Sequence, residues 1–271
     1  MCDLNLNIGF IGGGNMGEAM IGSLVRANFK ASNIVVFAKS KNDELAHKYG
    51  VSVVSDEIAV VNNADVIVLA VKPNAYEGVL NLIKSEIKTQ IIITLAPSFS
   101  IARVQDILSG TTDESSYKFK VVRTMPNTPA LIGCGVTAVN FSKSVSQDER
   151  KNIMQILSSF GEVFELDESA FPAFVGIAGS LPAYVFMFIE ALADGAVLEG
   201  LSRDKAYKIA AAAVAGSANM ALQSQKHVAN LKDDVCSPSG TSIEAVRVLE
   251  NAKFRSAVIE AVSVAARKTR Q

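Results

Sequence analysis

The sequence is short of the residues on which metal and disulfide sites depend. It contains no tryptophan, two histidines and three cysteines among 271 residues. Cys2, Cys134 and Cys236 form no CxxC pair, which argues against a zinc site or a redox dithiol. An odd number of cysteines at unrelated spacings favours free thiols in a reducing compartment. We therefore expect a cytoplasmic protein, and we expect no metal in its site.

The sequence also lacks an excess of charge of one sign. Its 26 lysines and arginines nearly balance 27 aspartates and glutamates, for a net charge of −1. Near-neutrality argues against non-specific binding to nucleic acid or to an anionic membrane. The one basic run, RKTRQ at 267–271, suits the end of a last helix, where cations oppose the negative pole of the dipole.

A long uncharged apolar run is missing as well. The most membrane-like stretch, 174–193, is interrupted by Pro182 and Glu190, so we expect a buried or subunit-interface helix and no membrane span. At the N-terminus, LNIGFIGGG has the pattern of folded structure from about residue 6, so we expect no signal peptide.

The first half of the chain alternates between strand-like and helix-like segments. Short β-branched runs at 7–11, 34–37, 65–71 and 90–96 are separated by amphipathic segments, and further strands are indicated at 118–126, 135–141 and 161–169. This alternation is typical of a doubly wound α/β fold with a parallel sheet, here Rossmann-like.

The β pattern stops near residue 168, and the rest is alanine-rich and helical. We therefore predict two domains, 1–167 and 168–271. Helices that are apolar on most faces must be buried by something, and about a hundred residues make a thin core. We expect the helical domain to be buried against a second copy of the chain, in a homodimer.

A glycine-rich loop lies between the first strand and the first helix. GFIGGGNMGEAM places Gly12, Gly14 and Gly17 in the order GxGxxG. In dinucleotide-binding folds these glycines allow the tight turn, the approach of the pyrophosphate and the packing of helix on strand, with the phosphates at the helix N-terminus. A plain glycine-rich turn is the alternative; the strand–loop–helix context favours a cofactor site.

The end of the second strand bears on the choice between NAD and NADP. An NAD site normally has an acidic residue there, whereas this chain has Ala38, Lys39, Ser40 and Lys41. Lysines and a hydroxyl suit a 2′-phosphate. The pattern favours NADPH, with NADH as the second cofactor; two solvated surface lysines are the alternative interpretation.

The turn AVKP at 70–73 follows another strand and should face the cofactor, because ligands of such sheets lie beyond the carboxyl ends of the strands. Lys72 is either catalytic or a partner for phosphates and carbonyls, and the sequence favours the supporting role.

A polar turn, DVCSPSGTSIEAV at 234–246, interrupts the alanine-rich helices. Its serine and threonine can cap the next helix, and Glu244, three residues after Thr241, completes a capping-box pattern. The same helix start can also hold an anion. His227, nearby in sequence, is interpreted as a structural or capping residue, and Cys236 as a small turn residue without a basic neighbour to activate it.

Five segments together resemble the pyrroline-5-carboxylate reductase family. They occur in order along nearly the whole chain: IGFIGGGNMGEAM, ADVIVLAVKP, VRTMPNTPALIGCGVTAV, GSLPAYVFMFIEALADGAVLEGLSRDKA and LKDDVCSPSGTSIEAVRVLE. The resemblance implies reduction of L-1-pyrroline-5-carboxylate to L-proline with NADPH or NADH, the last step of proline biosynthesis. It also implies an interlocked helical dimer that assembles further, commonly to a decamer.

The resemblance also implies roles for individual residues. It assigns the cofactor to one group of residues: Gly12, Gly14, Asn15, Met16, Gly17, Lys39, Ser40, Lys41, Ala70, Val71, Lys72, Pro73, Met125, Pro126 and Asn127. The last three lie at the nicotinamide end. It assigns the substrate to the polar turn, namely Val235, Ser237, Gly240, Thr241 and Ser242. Ser242 takes the place of a threonine whose hydroxyl faces the imine, so it is the predicted catalytic residue.

The sequence departs from the family pattern at several positions: Glu57, Pro97, Ser98, Leu181, Val228, Ser239 and Ser242. Ser239 replaces a glycine and would strain the turn if the position requires a positive φ. Two rival functions stay open at this point. One is another imine or β-hydroxyacid reductase of the same architecture, and the other is an NADP-binding sensor that has lost its chemistry.

Overall fold

The computed structural model describes residues 4–270, and the predicted free thiol of Cys2 lies outside them. Eight strands form one sheet in the order β3-β2-β1-β4-β5-β6-β7-β8. Neighbouring strands are parallel except β6 and β7, which are antiparallel. The strands are β1 Ile8–Ile11, β2 Ile34–Phe37, β3 Ser52–Val53, β4 Val66–Leu69, β5 Ile91–Thr94, β6 Lys120–Pro126, β7 Gly135–Phe141 and β8 Gly161–Glu165.

Helices cover both faces of this sheet, because its central strands are apolar on both sides. Val66 and Val68 belong to one buried cluster, and Ile67 and Leu69 to the other. Such strands, buried on both faces, are typical of parallel sheets. The Rossmann-like fold is thereby confirmed, with the helices α1 Asn15–Arg26, α2 Asn42–Tyr49, α3 Glu57–Asn62, α4 Tyr76–Ile83, α5 Ile101–Ser109 and α6 Gln147–Leu157.

The segment after β8 packs on the sheet. Phe171, Phe174 and Ala178 are buried with Met125 and Ala138. This segment comprises α7 Phe171–Phe174 and a π-helical turn, Val175–Gly179. As a result, the chain divides into compact units between Gly179 and Ser180, whereas its composition changes near residue 168.

The second unit, Ser180–Lys268, contains only helices in the described chain. Tyr184 Oη donates to Ala261 O at 3.4 Å, and the rings of Phe188 and Phe254 lie 6.0 Å apart. The helices are α8 Leu181–Leu198, α9 Arg203–Gln223, α10 Val228–Asp234, α11 Thr241–Asn251 and α12 Phe254–Thr269.

Much of the apolar surface of these helices is not covered by the chain itself. The helical stretch Glu168–Leu198 is long and apolar enough to cross a membrane, and 17% of its most apolar window is buried. Large apolar side chains of the second unit are exposed, including Phe186, Met187, Leu198, Ile209, Leu222 and Ile259. A surface of this kind marks an interaction site.

Candidate active site

The glycine loop has the geometry of a phosphate-binding turn. Gly12 N donates to Phe37 O at 2.8 Å, and Gly12 has a φ of 103°. A Cβ on Gly12 would lie 2.6 Å from Ala70 O, and one on Gly17 would lie 2.9 Å from Gly12 O. Glycine is therefore required at both positions.

The middle glycine of the motif, Gly14, leaves the start of α1 open. Gly14 is the N-cap, no side chain caps this helix, and a Cβ on Gly14 would meet no atom within 4 Å. Free backbone N–H groups and the helix dipole at this end favour an anion. Both features fit a dinucleotide pyrophosphate.

A cavity of about 410 Å³ lies beyond the carboxyl ends of β1, β2 and β4. Strands that are neighbours in the sheet bring their following loops together there. The structure thus gathers eight of the predicted cofactor residues around one space, namely Gly12, Gly14, Lys39, Ser40, Lys41, Ala70, Val71 and Lys72. Glu57, Asn74 and Ala75 line it as well.

A buried tyrosine supports the turn at 70–73. Tyr76 Oη donates to Leu69 O at 2.5 Å and accepts from Leu95 N at 2.9 Å, so it joins the ends of β4 and β5. Burial raises the pKa of Tyr76 to about 12. The hydroxyl therefore stays protonated and serves as a structural link.

An ion-pair network lies beside the cavity. Glu18 of α1 contacts Lys41 Nζ at 3.1 Å and Lys48 Nζ at 2.7 Å. The hydrogen bond from Lys48, together with Lys41, lowers the pKa of Glu18 below 4.5. The carboxylate is therefore ionised at neutral pH and holds Lys41 in place.

Four other predicted cofactor residues do not line the cavity. Asn15, Met16 and Gly17 form the first turn of α1, where the partly buried Met16 packs on the core. Pro73 begins a 3-10 turn whose next two residues do line the cavity.

The predicted residues of the nicotinamide end are buried within the first unit. Met125 packs among Phe171 and Phe174, and Pro126 is buried at the end of β6. Asn127 Nδ2 donates to Ala178 O at 3.0 Å, and Asn127 Oδ1 accepts from Val136 N at 2.8 Å. The side chain of Asn127 is thus engaged within the chain.

The polar turn of the second unit has a strained backbone. Ser239 has a φ of 58°, which is the left-handed conformation that favours glycine. Gly240 N donates to Ser237 O at 3.0 Å, and a Cβ on Gly240 would lie 2.4 Å from Ser237 Oγ. The turn is therefore closed tightly around Gly240.

The predicted capping of α11 is wrong. Gly240 is the N-cap, so Thr241 and Ser242 are the first two helical residues and no side chain caps the helix. Glu244 instead pairs with Arg247 at 3.0 Å. The first N–H groups and both hydroxyls consequently face solvent without a partner among residues 4–270.

The remaining predicted residues of the second unit lie around the same turn. Val235 is the C-cap of α10 and is exposed, and Ser237 follows it in the turn. His227 Nδ1 accepts from Ala229 N at 3.2 Å at the other end of α10. The predicted capping role of His227 is confirmed.

Comparison with known proteins places these features in a family. Residues 168–271 match a family described as pyrroline-5-carboxylate reductase dimerisation, and residues 7–98 match one described as NADP oxidoreductase, coenzyme F420-dependent. Pyrroline-5-carboxylate reductase of Escherichia coli (strain K12) is 42% identical over 260 residues, with 94% of each chain covered.

Two solved structures extend the likeness over the fold. The pyrroline-5-carboxylate reductase of Coxiella burnetii matches with a TM-score of 0.90 at 31% identity, covering 98% of this chain and 97% of that one. The Plasmodium falciparum pyrroline carboxylate reductase with NADP bound matches with a TM-score of 0.86, at the same identity and coverage.

The chain belongs to the pyrroline-5-carboxylate reductase family. The resemblance predicted from the five segments is confirmed. The dimerisation match spans the whole stretch Glu168–Leu198, so this apolar surface belongs to a region that assembles in the family.

Sequence reasoning missed part of the reductase site. Asn74 and Ala75 line the cavity although only Pro73, just before them, was predicted. A signal was available, because a proline after a strand starts a turn at the cavity edge. Tyr76 carries no motif, and only its bridging contacts reveal its role.

Proposed function

We propose that the chain reduces L-1-pyrroline-5-carboxylate to L-proline with a hydride from NADPH or NADH, as the last step of proline biosynthesis. Membership of the reductase family at 42% identity over nearly the full length carries this proposal. Two sites that suit anions support it. The glycine-loop cavity suits the pyrophosphate of the cofactor, and the uncapped start of α11 suits the carboxylate of the substrate.

Reduction of a cyclic imine needs a hydride donor, a hydrogen-bonded nitrogen and a fixed carboxylate. The nicotinamide cofactor supplies the hydride when bound. The chain supplies its cradle: Gly12 and Gly14 make room for the pyrophosphate beside the N–H groups of α1. Lys39 and Ser40 line the same cavity, and an ammonium group and a hydroxyl suit a 2′-phosphate, which supports NADPH as the preferred cofactor.

The remaining cofactor residues act mainly through the backbone. Ala70, Val71 and Lys72 form one wall of the cavity, with Pro73 turning the chain after them. Asn15, Met16 and Gly17 contribute the first turn of α1. We assign the nicotinamide end to the backbone of Met125, Pro126 and Asn127, since their side chains are buried.

The polar turn is the proposed substrate site. The free N–H groups of Thr241 and Ser242 suit the substrate carboxylate, with Gly240, Val235 and Ser237 shaping the turn. Ser242 Oγ then donates to, or accepts from, the imine nitrogen. A protonated imine is already electrophilic, so this hydroxyl needs no strong acidity.

The deciding assay follows cofactor absorbance with and without L-1-pyrroline-5-carboxylate. We expect oxidation of NADPH that depends on the imine. Oxidation of NADPH only with another imine, or reduction of NADP⁺ by a β-hydroxyacid, would support a different reductase. NADPH binding without any turnover would support a sensor.

Ser242→Ala should lower turnover about 10- to 100-fold, the low end of acid–base assistance. The affinity for NADPH should be unchanged, because Ser242 is not among the residues that line the proposed cofactor cavity. Ser242→Thr keeps the hydroxyl and is the matched control. Turnover of the alanine variant equal to that of the control would contradict the assignment.

We further propose a cytoplasmic homodimer that assembles to a decamer, with residues 1–167 as the cofactor domain and 168–271 as the substrate and dimerisation domain. The dimerisation match and the exposed apolar helices support a second copy, rather than lipid, as the cover of Glu168–Leu198. Neither nucleic acid nor membrane is needed as a partner.

A further inference from the structure

The part of the cavity next to β2 carries charges of both signs. Lys39, Ser40 and Lys41 lie in the loop after β2, Glu57 begins α3, and all four line the cavity. A cavity built only for a 2′-phosphate gains from the lysines and loses from the carboxylate. Glu57 therefore calls for a separate explanation.

Lys41 does not neutralise Glu57. Its ammonium group pairs with Glu18 at 3.1 Å, and Glu18 also holds Lys48. The positive charge of Lys41 is thus balanced from the α1 side of the cavity. Lys39 is exposed and has no ion-pair partner within residues 4–270.

Glu57 is a free acceptor at the cavity wall. It is half-buried, and across the described part of the chain its carboxylate has neither a hydrogen-bond nor an ion-pair partner. An ionised carboxylate only accepts hydrogen bonds. It is also the group that NAD sites use to bind the hydroxyls of the adenosine ribose.

We propose that Glu57 sets the cofactor preference of this chain. Its carboxylate accepts hydrogen bonds from the ribose hydroxyls of NADH and opposes the 2′-phosphate of NADPH. Lys39 and Ser40 act in the opposite direction, so the chain uses both cofactors. The proposal rests on the proposed function in one respect, namely that the cavity holds a nicotinamide dinucleotide.

A binding experiment on the full chain tests this without turnover. Isothermal titration calorimetry measures the affinities for adenosine 2′,5′-bisphosphate and adenosine 5′-monophosphate, which represent the adenosine ends of NADPH and NADH. Glu57→Gln removes the charge and keeps the size of the side chain. It should bind the bisphosphate roughly tenfold tighter and the monophosphate more weakly, as expected for one charge pair near a surface.

The control is Glu162→Gln, which makes the same change of charge on the exposed side of β8, at the opposite edge of the sheet. It should leave both affinities unchanged. An equal gain in bisphosphate affinity in both variants would mean that net charge alone acts, and would overturn the proposal.

Turnover gives the second measurement. The ratio of kcat/KM for NADPH to that for NADH should rise roughly tenfold in Glu57→Gln and fall in Lys39→Gln. An unchanged ratio in an active Glu57→Gln enzyme overturns the proposal. Failure of the unaltered chain to reduce the imine instead contradicts the proposed function, and the two adenosine nucleotides still decide the role of Glu57.

Discussion

At the scale of single residues, the polar turn contains the clearest conflict between sequence and backbone. Ser239 adopts a φ of 58°, although it carries a side chain. A left-handed conformation costs an ordinary residue about 1–2 kcal/mol. At the next position, Gly240, a larger residue is excluded, because its Cβ would lie 2.4 Å from Ser237 Oγ.

Ser239→Gly should raise the free energy of unfolding by about 0.5–1 kcal/mol, the relieved strain less the extra freedom of glycine in the unfolded chain. Thermal melting at a fixed protein concentration measures the change. Ser224→Gly is the control, because Ser224 has a φ of −79° and its replacement should lower the melting temperature. A lower melting temperature for Ser239→Gly would contradict the strain argument.

Residue patterns predicted several residues that line the cavity, but they did not show how the side chains of the expected nicotinamide end are held. Lys39 and Ser40 line the cavity as expected, since the end of a parallel strand is a fixed place in the fold. Asn127 was predicted as a cofactor contact, but its amide bonds to Ala178 and Val136. A motif gives the position of a side chain along the chain, whereas its direction depends on packing partners distant in sequence.

At the scale of secondary-structure elements, Asn127 joins three of them. It follows β6, holds the first residues of β7 through Val136 and holds the π-helical turn through Ala178. Arg123, within β6, pairs with Glu168 at 2.7 Å, so a second link ties the segment after β8 to the sheet. These contacts explain why the compact unit extends to Gly179.

Asn127→Ala should cost roughly 2–4 kcal/mol of unfolding free energy, because the buried carbonyl of Ala178 and the half-buried amide of Val136 lose their partner. Denaturant unfolding measures the cost, and hydrogen exchange at the Val136 amide should accelerate. Asn140→Ala is the matched control, since the half-buried Asn140 makes one bond, to Leu166 O at 2.7 Å. Equal losses of unfolding free energy in both variants would show that the second hydrogen bond of Asn127 adds no stability.

The pair of helices α1 and α2 is joined by Glu18. Its depressed pKa means that the unfolded chain binds the proton more readily, so the contribution of Glu18 to stability is complete above pH 4.5 and is lost as the pH falls below that value. Protonation of Glu18 removes its ion pairs with Lys41 and Lys48.

Glu18→Gln should therefore flatten part of the fall in melting temperature as the pH falls from about 5 to values below 4.5. Melting curves across this range, compared with those of Glu44→Gln on the exposed side of α2, measure the effect. Identical slopes for Glu18→Gln and the unaltered chain would show that the network contributes no pH-dependent stability.

The elements themselves were largely predictable. The expected strands 34–37 and 135–141 coincide with β2 and β7, because both segments are rich in β-branched and aromatic residues, which favour strands. The two-residue strand Ser52–Val53 was missed, since it is too short to show a period. The cap of α11 was misassigned by one residue, which is enough to remove a capping box.

At the scale of the whole molecule, the helical unit has large apolar side chains exposed in the single chain. Side chains such as Leu198 and Leu222 are 87% and 79% exposed in the single chain. Burial of one such side chain contributes about 1.5–3 kcal/mol. Both side chains lie in the range that matches a dimerisation family, so we expect stability and assembly to be coupled.

The melting temperature should consequently rise with protein concentration, as mass action requires of an oligomer. Light scattering should give a mass of at least twice the 28.7 kDa of one chain, and the proposed decamer should have ten times the mass of one chain. A constant mass of 28.7 kDa with a concentration-independent melting temperature would contradict an obligate assembly.

The order of the two units along the chain has a consequence for biogenesis. The sheet unit comes first and buries its own core, so it can fold on the ribosome while the helices are still being made. The helical unit follows the sheet unit with large apolar side chains exposed, and the match to a dimerisation family makes a second copy their expected cover. We therefore expect newly made chains to be most open to chaperones and to aggregation between synthesis of the helical unit and its pairing with another copy, and a low rate of synthesis should prolong that interval.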